Sequence, residues 1–384
     1  MSFRVAAVIC VAMGGLLLGM PKVGAAEPGA HGSGDSEFSL SGVSCTSPSY
    51  CMAVGSYDSL KGTTVPFTEE WNGTSWTSIP VSAPKFSDLF DVKCFDSSDC
   101  LAVGSTRYGT LAESWNGTDW TVVPSPSPKD EISSELESLS CVSPKNCQAV
   151  GYYVRSSGSS SAYLTLAAGW NGTRWVQETS PNPEGVTGSE LFAVSCQRPD
   201  TCFAVGGSFN SVGNSHTLAE KWNGGSWSLL PSADEHPGQE NTLEGIDCTT
   251  QIDCIAVGSY FARSGSNFPL IEKWNGSVWT IVTGATHDGA LIGVSCSSSS
   301  ACMAVGFSPS GAFTEMMSGS TWTVEKTPNP KGTGHSALLV SVSCAQVASC
   351  QAVGFDTGSG SDTTYNLIDS WNGSRWEIVR SARP

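Results

Sequence analysis

Beyond residue 20 the sequence has no apolar run long enough to cross a bilayer, and nowhere does it sustain a helical periodicity. Charge is also scarce. Only 14% of residues are charged, and 19 Lys and Arg stand against 35 Asp and Glu. The surplus of acid repels phosphate backbones and anionic lipid, which excludes nucleic acid as a partner class. The five histidines, His31, His216, His236, His287 and His335, are scattered with no metal-ligand spacing. No nucleophile elbow, P-loop or dinucleotide fingerprint occurs, so no catalytic residue, metal or cofactor is assigned. Asp356 to Asp362, DTGSGSD, lacks the ligand order of an EF-hand and reads as a flexible loop.

What the chain does contain is Gly, Pro, Ser and Thr, with short apolar stretches between them. That pattern describes an all-β protein of many short strands. The first 26 residues read as a secretory signal peptide, with Arg4 before an apolar run from Val5 to Met20 and small residues at Val23-Gly24-Ala25-Ala26. Val8-Ile9 ahead of Cys10 is a poor context for lipid attachment. Cleavage there removes two basic residues, Arg4 and Lys22, and no acid, taking the formal charge from −16 to −18. The expected product is secreted, extracellular, monomeric and without membrane insertion. Residues 27–37 form a flexible lead-in, and 38–384 form the folded unit.

Within 38–384 one phrase returns seven times: V-S-C, five variable residues, then C-x-A-V-G. It places fourteen cysteines in pairs, Cys45/Cys51, Cys94/Cys100, Cys141/Cys147, Cys196/Cys202, Cys248/Cys254, Cys296/Cys302 and Cys344/Cys350. An export signal, an even count and no interleaved histidine favour seven disulfides over zinc sites. The first cysteines are 47 to 55 residues apart. A period near fifty with several strands per unit indicates a β-propeller.

Each unit reads as four strands. Strand A ends in V-S-C, and a five-residue turn leads to strand B, C-x-A-V-G. Strand C ends at the first tryptophan of E-x-W-N-G-x-x-W, and strand D opens at the second. Seven such units predict a seven-bladed β-propeller of four-stranded antiparallel blades. Six units carry Asn-Gly between C and D, read as a two-residue hairpin with positive φ angles. Five of these are also N-x-[ST] sequons, and the turn explains them equally well.

In a meandering blade the A–B and C–D turns share one face, and the B–C and D–A connections share the other. The span from the AVG glycine to the first tryptophan position varies, at 16, 11, 19, 16, 16, 11 and 17 residues, whereas the turns of the other face are constant. Variable loops on a rigid scaffold are where binding is expected. On those loops the candidate ligand-binding residues are Tyr152, Tyr153, Arg155, Tyr163, His216, Tyr260, Arg263 and Tyr365. The thirteen tryptophans are expected to pack between blades rather than to stack sugars. Six acids two residues before the first tryptophan position, Glu69, Glu113, Glu220, Glu272, Glu315 and Asp369, are expected to accept local hydrogen bonds. Catalysis needs asymmetry between an acid and a base, which a repeated position lacks.

The order AVG, variable loop, strand, W-N-G-x-x-W, Pro resembles kelch repeats, and unit four carries their glycine pair, Ala204-Val205-Gly206-Gly207. The cysteine phrase is similar to that of secreted actinobacterial repeat proteins. Kelch-type propellers serve as interaction scaffolds, and galactose oxidase shows that one can host an enzyme, though nothing here matches its copper-binding chemistry. The resemblance favours blades in the phase A-B-C-D, closed by packing of the first against the seventh, over C-D-A-B with strand C lining the channel. The expected function is a non-enzymatic scaffold for a glycan or an extracellular protein. A polysaccharide-acting hydrolase or lyase and a structural envelope component are the alternatives.

Overall fold

The computed structural model describes residues 37–382 except 60–61, 158–159, 212–213, 235–239, 286, 331–335 and 358–363. The signal segment and most of the DTGSGSD loop therefore lie outside the described residues. Strand follows strand throughout, in the order A-B-C-D within each unit. In blade 1 these are Glu37–Ser47, Tyr50–Asp58, Thr64–Trp71 and Trp76–Ile79. Five blades are separate four-stranded sheets, while blades 3 and 4 are bridged by one parallel pair, Tyr163 to Gly188.

The phase is A-B-C-D. Each strand A packs against strand A of the next blade, and that of blade 1 against that of blade 7, so the A strands surround the axis. The residue before the first cysteine makes the joint. Its side chain accepts the cysteine N–H of the following blade: Ser44 from Cys94 (3.0 Å), Ser140 from Cys196 (2.9 Å), Ser195 from Cys248 (3.1 Å) and Ser295 from Cys344 (3.1 Å). Ser343 accepts from Cys45 at 2.9 Å and so closes the ring. Asp247 plays this part toward Cys296 at 2.7 Å. Lys93 has no acceptor to offer, and Asp91, two residues earlier, substitutes by accepting from Leu139 N–H (3.0 Å) and Ser138 Oγ (2.9 Å).

The core lies between blades. Tyr50, Met52 and Val54 of blade 1 pack on Trp115 and Trp120 of blade 2, and Phe203 of blade 4 packs on Trp274 and Trp279 of blade 5. All thirteen tryptophans are buried. The first of each pair also ties two hairpins together, because Trp71, Trp115, Trp170 and Trp222 donate Nε1–H to an A–B turn carbonyl at 3.0–3.1 Å. The AVG glycine has a steric cause. Strand A carries a bulge opposite it, and a Cβ on Gly55, Gly104 or Gly151 would collide with the carbonyl oxygen of Ser39, Asp88 or Glu135.

All seven cysteine pairs are disulfides: Cys45–Cys51, Cys94–Cys100, Cys141–Cys147, Cys196–Cys202, Cys248–Cys254, Cys296–Cys302 and Cys344–Cys350, with Cα–Cα distances of 3.9–4.0 Å. The second cysteine of each pair opens strand B and is sealed in the core. Cys51, Cys100, Cys147, Cys202, Cys254, Cys302 and Cys350 are all buried, each packed in the same cluster as the tryptophans of its own blade. These seven residues are therefore framework and offer no surface to a ligand, so the cysteines drop out of the set of site residues. The physical reason is register: each second cysteine stands opposite the first tryptophan position of strand C, as Cys100 does opposite Trp115 and Cys350 opposite Trp371.

Two turns differ from expectation. Strands A and B continue pairing past the disulfide to Ser47 and Tyr50, which leaves a two-residue turn rather than five. The C–D turn is a four-residue loop between paired tryptophans, Trp71 and Trp76. Only the glycine there has positive φ, +93° at Gly73. Asn72 instead lends its Oδ1 to the N–H groups of Thr74 and Ser75, both at 3.0 Å, making an Asx turn. Unit six, Met317-Ser318-Gly319, does close with two residues, since Ser318 pairs with Thr321.

Candidate functional site

Register fixes the two faces. Cys45, Cys51, Trp71 and Trp76 form one row across blade 1, so the disulfide and tryptophan hairpins share one face, and the B–C and D–A connections share the opposite one. This variable face is uneven. Strand B of blade 3 runs six residues past its AVG glycine, to Ser157, whereas that of blade 2 runs two, to Thr106. Four extra residues at ~3.3 Å each raise the blade 3 hairpin about 13 Å above its neighbour.

The candidate residues divide by blade. Tyr152, Tyr153, Arg155 and Tyr163 all belong to the tall hairpin. Tyr152 is only 5% exposed, so it lies beneath the surface, with its ring 5.8 Å from that of Tyr163. Tyr163 in turn meets Phe209 of blade 4 edge-on at 5.7 Å. The Arg155 guanidinium lies 5.3 Å over the Tyr153 ring. His216 is half-buried on blade 4, its Nδ1 2.7 Å from Asp234 Oδ2, while Asp234 Oδ1 accepts from Thr217 N–H at 3.0 Å. That pair ties strand C to the connection after strand D. Tyr260 stacks on Phe268 at 5.6 Å, Arg263 is exposed, and Tyr365 is half-buried on blade 7. The structure thus brings together the blade 3 residues and leaves the others dispersed around the rim.

The six strand C acids are fully buried and face the preceding blade. Glu220 accepts from Ser180 Oγ (2.9 Å) and Glu272 from Ser232 Oγ (3.0 Å) and Ala233 N–H (3.2 Å). Glu315 accepts from Ala285 N–H at 3.1 Å, and Glu69 from Ser381 Oγ and Ala382 N–H (3.0 Å). The donor stands five or six residues after the second tryptophan of the previous unit. At that place blade 1 has Val81, which offers no hydroxyl, and Glu113 has no partner. Blade 6 has Thr327-Pro328, whose threonine hydroxyl bonds to Thr314 instead (2.9 Å), and Asp369 is likewise unpartnered. Burial pushes Glu69, Glu113, Glu272, Glu315 and Asp369 up to about 7, and Glu220 up to about 8. These groups join blades and do not line the channel.

The channel is lined by strand A and is two-sided. Blades 2 to 5 contribute Asp88, Glu135, Glu137, Glu190 and Glu244. Blades 6 and 7 contribute Ala290, Ile292, Leu338 and Val340, packed with Phe307 and Phe355. Burial and then Glu137 and Glu244 push Glu190 up to about 8, and Glu135 rises well above its ordinary range through burial and the Glu137 charge. Burial and the charge of Glu135 in turn raise the Tyr152 phenol. Nearer the disulfide face, burial raises Asp247 to about 6 against the opposing pull of the Cys296 N–H and the Lys93 charge. Among the described residues no group of three or more His, Cys, Asp or Glu could hold a metal ion.

Sequence reasoning missed two features. The channel acids differ from blade to blade, so no periodic signal marks them. The other feature is at blade 2, where the short hairpin presents Arg107 and Tyr108 beside Phe86. Tyr108 is 83% exposed and Phe86 41%. The Arg107 guanidinium lies over both rings, 5.5 Å from the centre of Phe86 and 5.8 Å from that of Tyr108. The signal available was the shortest B–C span, which attention to the longest loops passed over.

No protein-family model matches the sequence, and neither does any curated protein. Solved structures do. A polysaccharide lyase, an ulvan lyase, is similar over 86% of this chain and 91% of its own, with TM-score 0.53 and 7% identity. A protein of unknown function from Dyadobacter fermentans is similar over 90% of this chain and 95% of its own, with TM-score 0.51 and 9% identity. A YCF48 structure bound to D1 peptide covers 69% of this chain and 73% of its own, at TM-score 0.44 and 14% identity. Identities this low bear on fold alone, and together with the seven four-stranded units they make the chain a seven-bladed β-propeller.

Proposed function

We propose that the chain is an exported, non-enzymatic binding scaffold whose ligand, a glycan or an extracellular protein, docks on the face of the B–C and D–A connections. The observation that carries this reading is the exposed aromatic and guanidinium group on that face, while the repeated strand C acids are sealed between blades. Exposed aromatics beside an arginine are the side chains that anchor ligands at interfaces. Seven disulfides and the absence, among the described residues, of a helix long and apolar enough to cross a membrane are compatible with an extracellular setting. The kelch-like order of each unit supports a scaffold role. Retention of the oxidised protein on a panel of immobilised polysaccharides and extracellular proteins, without product release, is the expected outcome.

A second reading, a polysaccharide-acting enzyme, is favoured by Glu135, Glu137 and Glu190 gathered with Tyr152 at the foot of the tall hairpin. Carboxyls kept protonated near neutrality suit general acid catalysis. Release of sugar by the protein, abolished in Glu190→Gln, would replace the scaffold reading with this one.

A further inference from the structure

Blade 2 carries a group of features that nothing in the propeller framework requires. Among the described residues only two non-glycine residues have positive φ, Phe86 at +60° and Asp130 at +62°. They stand just before strand A of blades 2 and 3, on either side of the short hairpin with Arg107 and Tyr108 at its tip. A bulky residue in this conformation is strained, and a glycine would hold the same path without strain. The Phe86 backbone bridges two blades, donating N–H to the Thr64 carbonyl (2.9 Å) and accepting the Arg107 N–H (2.8 Å). That explains the path of the chain but not the phenyl ring, which lies under the Arg107 guanidinium.

The tip is also preorganised. Tyr108 N–H donates to Thr106 Oγ1 (3.1 Å), whose hydroxyl donates to the Gly109 carbonyl (3.1 Å). Arg107 has no carboxylate partner among the described residues, although the chain holds 35 acids. Its guanidinium is held by rings, which leaves the N–H edge for a ligand.

We propose that Phe86, Arg107 and Tyr108 form a subsite for one ring of a neutral polysaccharide. This rests on the reading that the variable face binds ligand, and it names the ligand class. The exposed Tyr108 ring offers a flat π face to the C–H groups of a sugar, and the Arg107 edge donates to its hydroxyl oxygens. Asp130 and Glu131, at the neighbouring blade entrance, put acceptors on the same rim. Mixed donors and acceptors around an aromatic platform suit hydroxyls, and the net charge of −16 disfavours a polyanion. The notch between the low blade 2 hairpin and the tall blade 3 hairpin gives a linear chain room to cross the rim.

The test is gel electrophoresis of the oxidised protein through laminarin, xylan, galactomannan or alginate. Retardation is expected with at least one of the three neutral polymers and not with alginate. Tyr108→Ala and Arg107→Ala should each weaken it at least tenfold with Tm unchanged, and Phe86→Gly should weaken it while keeping or raising Tm. The subsite is refuted if no neutral polymer retards the protein, if alginate alone does, or if Tyr108→Ala leaves retardation intact. The wider reading fails separately. Ile252, 64% exposed, lies on the disulfide face. Loss of binding in Ile252→Asp but not in Tyr108→Ala would move the ligand to that face and overturn both.

Discussion

At the scale of single residues, the two tryptophans of a unit have different jobs despite equal burial. Trp115 Nε1–H reaches the Ser97 carbonyl at 3.0 Å, whereas the Nε1 of Trp120 is buried with no partner. Phenylalanine at 115 removes a hydrogen bond and leaves a buried carbonyl unsatisfied, and at 120 it removes an unsatisfied donor. Trp115→Phe should therefore lower stability by about 1–3 kcal/mol more than Trp120→Phe, read as a shift in denaturant midpoint at constant slope. The importance of these positions was legible in the sequence because both recur. Which indole finds a partner was not, since it depends on a turn more than fifteen residues away. The same limit hid the state of Glu113, whose missing donor is set by Val81 in another blade.

At the scale of elements, the hairpins of the disulfide face do the holding. Each bridge joins residues already paired across a turn, at a sequence separation of 6, so it closes a small loop. Replacing Cys296 and Cys302 together by alanine should cost about 2 kcal/mol in the chain-entropy picture, seen as a lowered melting temperature with the fold retained. The strand assignment, their order and the opposition of the two faces all followed from the repeat. The C–D turn did not. Asn-Gly is the signature of a two-residue hairpin, but pairing of the flanking tryptophans requires four residues between them, and asparagine serves through its side chain. The candidate site was legible only as a face, because a site is where one blade departs from the others.

At the scale of the whole molecule, the buried acids couple stability to pH. A carboxyl whose folded pKa lies above its unfolded value holds its proton more tightly when folded. That stabilisation is complete below about 4 and is lost as the pH rises through the folded values. For the strand C acids those values are about 7 and about 8. The protein should melt at a higher temperature at pH 5 than at pH 8, and calorimetry across that range checks the sign. Glu113→Gln, which removes an unpartnered buried charge, should raise stability at pH 8 by about 1–3 kcal/mol and change little at pH 4.

The joints around the axis have a consequence for assembly. Five of the seven use the same serine acceptor and the same cysteine N–H, so by that contact alone a blade could follow any of several others, in its own chain or a second one. Such degeneracy invites blade exchange between chains, a characteristic failure of repeat folds. The two unlike joints, Asp91 with Lys93 after blade 2 and Asp247 after blade 5, give the ring landmarks. Making them alike, with Lys93→Ser and Asp247→Ser in one chain, should increase the share of exchanged dimers on refolding at high protein concentration, as size-exclusion chromatography would show. The irregular joints thus keep one chain's blades in order.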